Sequence, residues 1–120
     1  MSGVILAVDD SESIRQMVRH TLEHAGYSVV QAADGAAALD YAKSRSADLV
    51  LTDINMPNLD GISLCKELRN LPHYKGVPIL MLTTESEPDM KVLGKQAGAT
   101  GWLVKPFNPS QLLATLARVL

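Results

Sequence analysis

At 120 residues, 47% hydrophobic and only 4% aromatic, the chain has the size of one domain with an aliphatic core. Its net charge of −2, with both signs scattered, excludes the basic stripe that nucleic-acid phosphates require and an acidic disordered tail. The single Cys65 cannot close an internal disulfide, no leader-like segment precedes the first strand candidate, and no apolar run approaches the ~20 residues of a membrane span, so the expectation is a soluble cytoplasmic domain spanning residues 1–120.

In chain order, Val4-Ile5-Leu6-Ala7-Val8 reads as a strand closed by Asp9-Asp10. Ser11 caps a helix on which Ile14, Met17, Val18 and Leu22 recur at helical spacing, and Gly26 ends it. Ser28–Ala32 is a second strand, and Asp34 caps a small-residue helix through Ala37, Ala38 and Tyr41. Leu49–Thr52 is the third strand. Asn58-Leu59-Asp60-Gly61 is turn chemistry opening a helix with Ile62, Leu64, Cys65 and Leu68. A loop holding Pro72, Gly76 and Pro78 leads to the fourth strand, Ile79–Thr83. Pro88 suits the first turn of a helix containing Met90, Val92 and Leu93, stopped by Gly98. Trp102-Leu103-Val104 is the fifth strand, closed by Lys105-Pro106. Asn108-Pro109 starts a last helix expected to bury Leu112, Leu113, Leu116 and Val119.

Strand and helix thus alternate five times, and several strands are apolar on both faces, as a helix-covered parallel sheet requires. Right-handed crossovers give a doubly wound α/β sandwich, with 2-1-3-4-5 the expected strand order and a switch point between strands one and three. Ligands of such sheets sit beyond the carboxyl ends of the strands, where Asp9-Asp10, Asp53, Thr83 and Lys105 stand. Three crowded carboxylates repel one another, and a hard divalent cation relieves them. Mg²⁺ suits an all-oxygen site, to which the Asn55 carbonyl can add a ligand. Beside a lysine and a hydroxyl, such a cluster is phosphoryl-transfer chemistry with Asp53 as nucleophile and Lys105 and Thr83 as binders of the transferred oxygens.

The set Asp9-Asp10, Asp53-Ile54-Asn55-Met56-Pro57, Gly61, Thr83 and Lys105-Pro106-Phe107 resembles the receiver domain of bacterial two-component response regulators over essentially the whole chain. Thr83-Thr84-Glu85 and Gly98–Trp102 look most like the stand-alone CheY-type chemotaxis branch. The resemblance implies a (βα)5 flavodoxin-like fold and a monomeric switch that catalyses only its own phosphorylation and dephosphorylation. It implies that Asp53 accepts a phosphoryl group from a phosphohistidine on a CheA-like sensor histidine kinase. Asp10, Asp53 and the Asn55 carbonyl would hold Mg²⁺, with Asp9 helping through water, and Lys105 would pair with the phosphoryl oxygens. Thr83 would shift towards the phosphate and Trp102, where the family usually has Tyr or Phe, would turn inward. Asn55 and Glu85 would tune water access, and the Lys105-Pro106 bond would be cis. The target would be a protein such as a flagellar motor switch component, bound through the face of helix four, strand five and helix five.

Other readings stand beside this one. A phosphorelay shuttle, or the receiver portion of a longer regulator, would carry the same residues. A haloacid-dehalogenase-like phosphohydrolase shares Asp, Mg²⁺ and Lys, but its nucleophile should end strand one in an Asp-x-Asp pattern, whereas strand one here ends Asp-Asp-Ser. A flavin or nucleotide module needs glycines that Asp9-Asp10-Ser11-Glu12-Ser13 lacks. His20 and His24, four apart, read as a solvated helix face, and Cys65 as core. Trp102 and Glu85 each have a plain packing or surface reading as well.

Overall fold

The computed structural model describes residues 3–83 and 88–120. Among them, five strands, β1 (Val4–Val8), β2 (Ser28–Ala32), β3 (Leu49–Asp53), β4 (Ile79–Thr83) and β5 (Gly101–Val104), form one parallel sheet in the order β2-β1-β3-β4-β5. The helices are α1 (Glu12–His24), α2 (Gly35–Ser44), α3 (Gly61–Arg69), α4 (Pro88–Ala97) and α5 (Pro109–Val119), with a 3₁₀ turn at Pro72–Tyr74. This is the doubly wound α/β sandwich that the alternation predicts, and the flavodoxin-like fold that the resemblance implies. β3 runs one residue further than expected, so Asp53 ends the strand itself.

Alternation along each strand divides the core in two. Ile5, Ala7, Leu49, Leu51, Leu80, Leu82 and Leu103 pack under α1 and α5 with Val18, Leu22, Leu112 and Leu116. Leu6, Val8, Val50, Ile79 and Met81 face α2, α3 and α4, with Leu64, Cys65 and Leu68. The central strands β3 and β4 are buried almost throughout, whereas the edge strand β2 is not. Cys65 lies in this core, as expected, its thiol donating to the Ala97 carbonyl at 3.4 Å.

Each helix start has a local cause. Ser11, Asp34, Asp60 and Asn108 accept from the backbone N–H three residues on, and Gln111 reciprocates to Asn108 in a capping box. One expectation of burial fails. Leu113 is exposed, because the buried stripe of α5 is Leu112, Thr115 and Leu116, and Val119 is only partly covered. On α4 the covered positions are Met90, Gly94 and Ala97, at helical spacing, which leaves Val92 and Leu93 exposed.

The loop between α3 and β4 is more ordered than its Pro and Gly suggest. Tyr74 is fully buried and donates to the Arg45 carbonyl at 2.8 Å, and burial pushes its hydroxyl up to about 12. Arg69, at the end of α3, gathers the amino edge of the sheet. Its guanidinium donates to the carbonyls of Tyr74 and Val77, both at 2.7 Å, and twice to that of Gly98, at 3.0 and 2.8 Å.

Candidate phosphoryl-acceptor site

β1 and β3 are neighbours although α1, β2 and α2 lie between them in sequence, so the chain after each strand departs in the opposite direction and leaves a crevice at their carboxyl ends. Asp9 and Asp10 stand on one side of it and Asp53 on the other. One carboxylate oxygen from each of the three lies within 4.8 Å of the others. Lys105, arriving from the end of β5, places its ammonium 3.1 Å from Asp9 Oδ2 and 3.2 Å from Asp53 Oδ2. Thr83 closes β4 beside it, buried, its carbonyl accepting from the Lys105 backbone N–H at 2.7 Å.

Each acid has a different setting. Asp9 is 3% exposed; its Oδ1 accepts from the Ser11 N–H at 2.9 Å, and the guanidinium of Arg15 donates to its carbonyl. Asp10, the next residue, is exposed. Asp53 is half-buried and accepts from the Ile54 N–H at 2.9 Å. Burial, with repulsion from Asp9 added, raises the pKa of Asp53 above the usual carboxylate value, although Lys105 pulls the other way. For Lys105, burial alone would lower the pKa; the two carboxylates outweigh it, so the ammonium is held more firmly than usual. At a separation near 4.8 Å and an effective dielectric of about 20, each pair of carboxylates costs roughly 3–4 kcal/mol before solvent relaxes it. Three carboxylates against one ammonium leave two negative charges uncompensated. The donor set is oxygen only. A divalent oxygen-seeking cation such as Mg²⁺ fits both the charge and the ligand chemistry.

The loop between β3 and α3 is held from two sides. Gly61 donates to the Ile54 carbonyl at 2.8 Å, and a Cβ on Gly61 would stand 2.1 Å from the Asp53 carbonyl oxygen, so only glycine lets the loop close there. On the far side, a Cβ on Gly35 would meet the Leu59 carbonyl at 2.1 Å. Asn58, in the left-handed region at φ 69°, donates to Asp34 Oδ2 at 2.7 Å. That contact and the N–H of Ala37 keep the Asp34 carboxyl below its ordinary pKa, Ala37 more strongly. Asn55 lies on this loop, exposed, two residues after Asp53.

The expected residues Asp9, Asp10, Asp53 and Lys105 therefore converge on one cluster, with Thr83 and Asn55 on the same edge. The Lys105-Pro106 bond is cis. Glu85 lies outside the described residues. Trp102 is partly buried on the α4 side of the sheet, its ring against Gly94. Arg15, the Asp34–Asn58 link and Gly35 are site residues beyond those the sequence points to. Asp34 caps α2 as the sequence suggests, and it also holds Asn58; the turn residues at 58–61 are the one sequence signal for the rest.

Residues 5–117 match the response regulator receiver domain model. The chain belongs to the response regulator receiver family. This receiver is 56% identical to the chemotaxis response regulator CheY4 of Vibrio cholerae, with full coverage of both chains and a TM-score of 0.95. It is 42% identical to the alkaline phosphatase synthesis transcriptional regulatory protein PhoP of Bacillus subtilis, matching all of this chain but 49% of that protein. The chain thus spans about half the length of the curated relatives it matches. The receiver domain of the sensor histidine kinase PA1611 of Pseudomonas aeruginosa, solved with a magnesium ion coordinated in the active site cleft, is 32% identical with a TM-score of 0.90, over 99% of this chain and 98% of that one. Family membership makes the chain a receiver domain of two-component signalling and sets aside the phosphohydrolase and flavin readings. No helix among the described residues is long and apolar enough to cross a membrane.

Proposed function

We propose that Asp53 is the phosphoacceptor of this receiver, and that phosphorylation there switches the surface built by α4, β5 and α5. The observation that carries this reading is the meeting of Asp9, Asp10 and Asp53 oxygens within 4.8 Å, with the Lys105 ammonium against two of them. Asp10, Asp53 and the Asn55 main-chain carbonyl would hold Mg²⁺, with Asp9 helping through water. The PA1611 structure supports a magnesium ion in such a cleft. When bound, Mg²⁺ offsets the two uncompensated negative charges and favours approach of an anionic phosphoryl group.

The remaining chemistry belongs to the chain. An Asp53 carboxylate oxygen forms a bond to phosphorus as the P–N bond of a phosphohistidine breaks. The electron pair stays on the imidazole nitrogen, which leaves neutral if the phosphoimidazole was protonated, and an acyl phosphate remains. Lys105, fixed 3.2 Å from Asp53 Oδ2, binds the phosphoryl oxygens as they arrive. Thr83 offers its hydroxyl from the neighbouring strand end. Asn55 and Glu85 tune the entry of water that later hydrolyses the acyl phosphate. The phosphoryl group adds roughly −1.5 to −2 charges, and a coupling of about 1–3 kcal/mol changes partner affinity ~5–150-fold.

The output we favour is cytoplasmic and protein-binding: a CheA-like kinase upstream and a motility target such as a flagellar switch component. The 56% identity to CheY4 over both full lengths supports it. The matches to one half of PhoP and MprA regulators support a second reading, the receiver portion of a transcriptional regulator. Incubation with a phosphoramidate and Mg²⁺ tests the chemistry: uptake of one equivalent by the wild type and none by Asp53→Asn is expected. Affinity capture from cell extract with beryllofluoride separates the outputs. A motor component retained only by the activated wild type supports the first; the same proteins retained by wild type and Asp53→Asn contradict the switch.

A further inference from the structure

Gly94 lies inside α4, where glycine costs helix stability relative to alanine. Its backbone gives no reason for glycine: the described glycines at positive φ are Gly3, Gly26 and Gly98. The reason is steric. A Cβ on Gly94 would stand 2.5 Å from Cη2 and 2.8 Å from Cζ3 of Trp102. Cβ atoms do not approach that closely, so the benzo edge of the indole occupies the space that an alanine methyl would need. Gly94 is buried by this contact, in line with Met90 and Ala97 on the covered face of α4.

The placement of Trp102 gives the contact a consequence. Trp102 pairs with Met81 across β4 and β5, and Thr83 pairs with Val104, so by strand alternation Trp102 and Thr83 point to the face that α4 covers. The exposed Val92 and Leu93 ride on the same helix. Indole and helix are therefore fitted to each other on the same sheet face towards which Thr83 points.

We infer that Gly94 is a positioning residue of the switch: its missing side chain forms a notch that fixes the resting rotamer of Trp102 and makes the indole and α4 move as one unit. The inference rests on the switch reading above and assigns it a size-matched pair in place of a single aromatic. The ring leaves the notch only by opening a gap against α4, and α4 shifts only by carrying or releasing the ring. A Tyr or Phe at position 102 lacks the benzo edge that reaches Cη2 and would leave the notch unfilled.

Four proteins test this: wild type, Gly94→Ala, Trp102→Phe and the double variant. Without ligand, Gly94→Ala is expected to lower Tm in the wild type and raise it in Trp102→Phe, where the methyl finds free space. Trp102 is the only tryptophan, so fluorescence reports it alone. Gly94→Ala should red-shift its emission and raise acrylamide quenching about twofold. With Mg²⁺ and beryllofluoride, binding is followed independently by ¹⁹F NMR. Gly94→Ala should bind as the wild type does while its tryptophan response falls at least by half. A Tm change of the same sign in both backgrounds, or an unaltered tryptophan response in a variant that binds beryllofluoride, overturns the inference. Failure of the wild type to bind beryllofluoride overturns the switch reading and the coupling with it, while the sign of the Tm cycle still judges the notch.

Discussion

At the carboxyl edge of the sheet three carboxylates crowd one lysine; at the amino edge one guanidinium is surrounded by main-chain carbonyls. The first arrangement holds unbalanced charge. Asp53 has a raised pKa there, and Lys105 touches two acids while a third stands nearby. The second is satisfied: Arg69 donates to carbonyls at the ends of three segments and closes them together. One edge is arranged to receive something; the other is arranged to stay shut. Receptive chemistry in this molecule thus coincides with electrostatic strain, and stability is concentrated where polar groups have their partners.

The amino edge is the more costly to break. Arg69→Ala should lower stability by about 2–4 kcal/mol in urea unfolding, because carbonyls of Tyr74, Val77 and Gly98 lose a charged donor. Arg69→Lys should recover little, since an ammonium cannot span the fork. Mg²⁺ binding should be unchanged by Arg69→Lys, as measured at a temperature where that variant is folded.

Filling the carboxyl edge should stabilise it. Mg²⁺ at ten times its Kd is expected to add about 1.4 kcal/mol, seen as a rise in Tm. Asp10→Asn should remove most of that rise without lowering the metal-free Tm, since Asp10 is exposed.

The smallest effect is the most diagnostic. In EDTA, Asp53→Asn should raise stability by about 0.5–1 kcal/mol at neutral pH, the size of a partly screened charge interaction. The sign follows from the raised pKa: the folded protein binds the Asp53 proton more tightly than the unfolded chain does, so ionisation penalises the fold. The gain should therefore vanish below the ordinary value of 3.8, where both states are protonated. It should grow as pH rises through the folded-state pKa of Asp53, as thermal melts at a series of pH values would report.

Much of the fold and most of the site are visible in the sequence because both are written in side chains at regular intervals. Strand and helix periods set the element order, and the order of elements brings Asp9, Asp53 and Lys105 to one edge. The amino edge is hidden for a physical reason. Arg69 is bound by carbonyls, which every residue carries, so no pattern of residue types announces it. Tyr74 is concealed among Pro and Gly that read as loop. Gly94 reads only as a weak point in a helix until Trp102, eight residues on, is found against it. Leu113 shares α5 with Leu112, Leu116 and Val119 and reads as core alongside them, but the helix turns only one stripe towards the sheet.

The central claim is that Asp53 itself accepts phosphorus with the help of its neighbouring acids. Incubation with acetyl phosphate and Mg²⁺, followed by peptide mass spectrometry, should find one hydroxylamine-labile phosphoryl group, on Asp53, and none when Mg²⁺ is removed. A stable modification on any other residue, or no modification with Mg²⁺ present, would contradict the account.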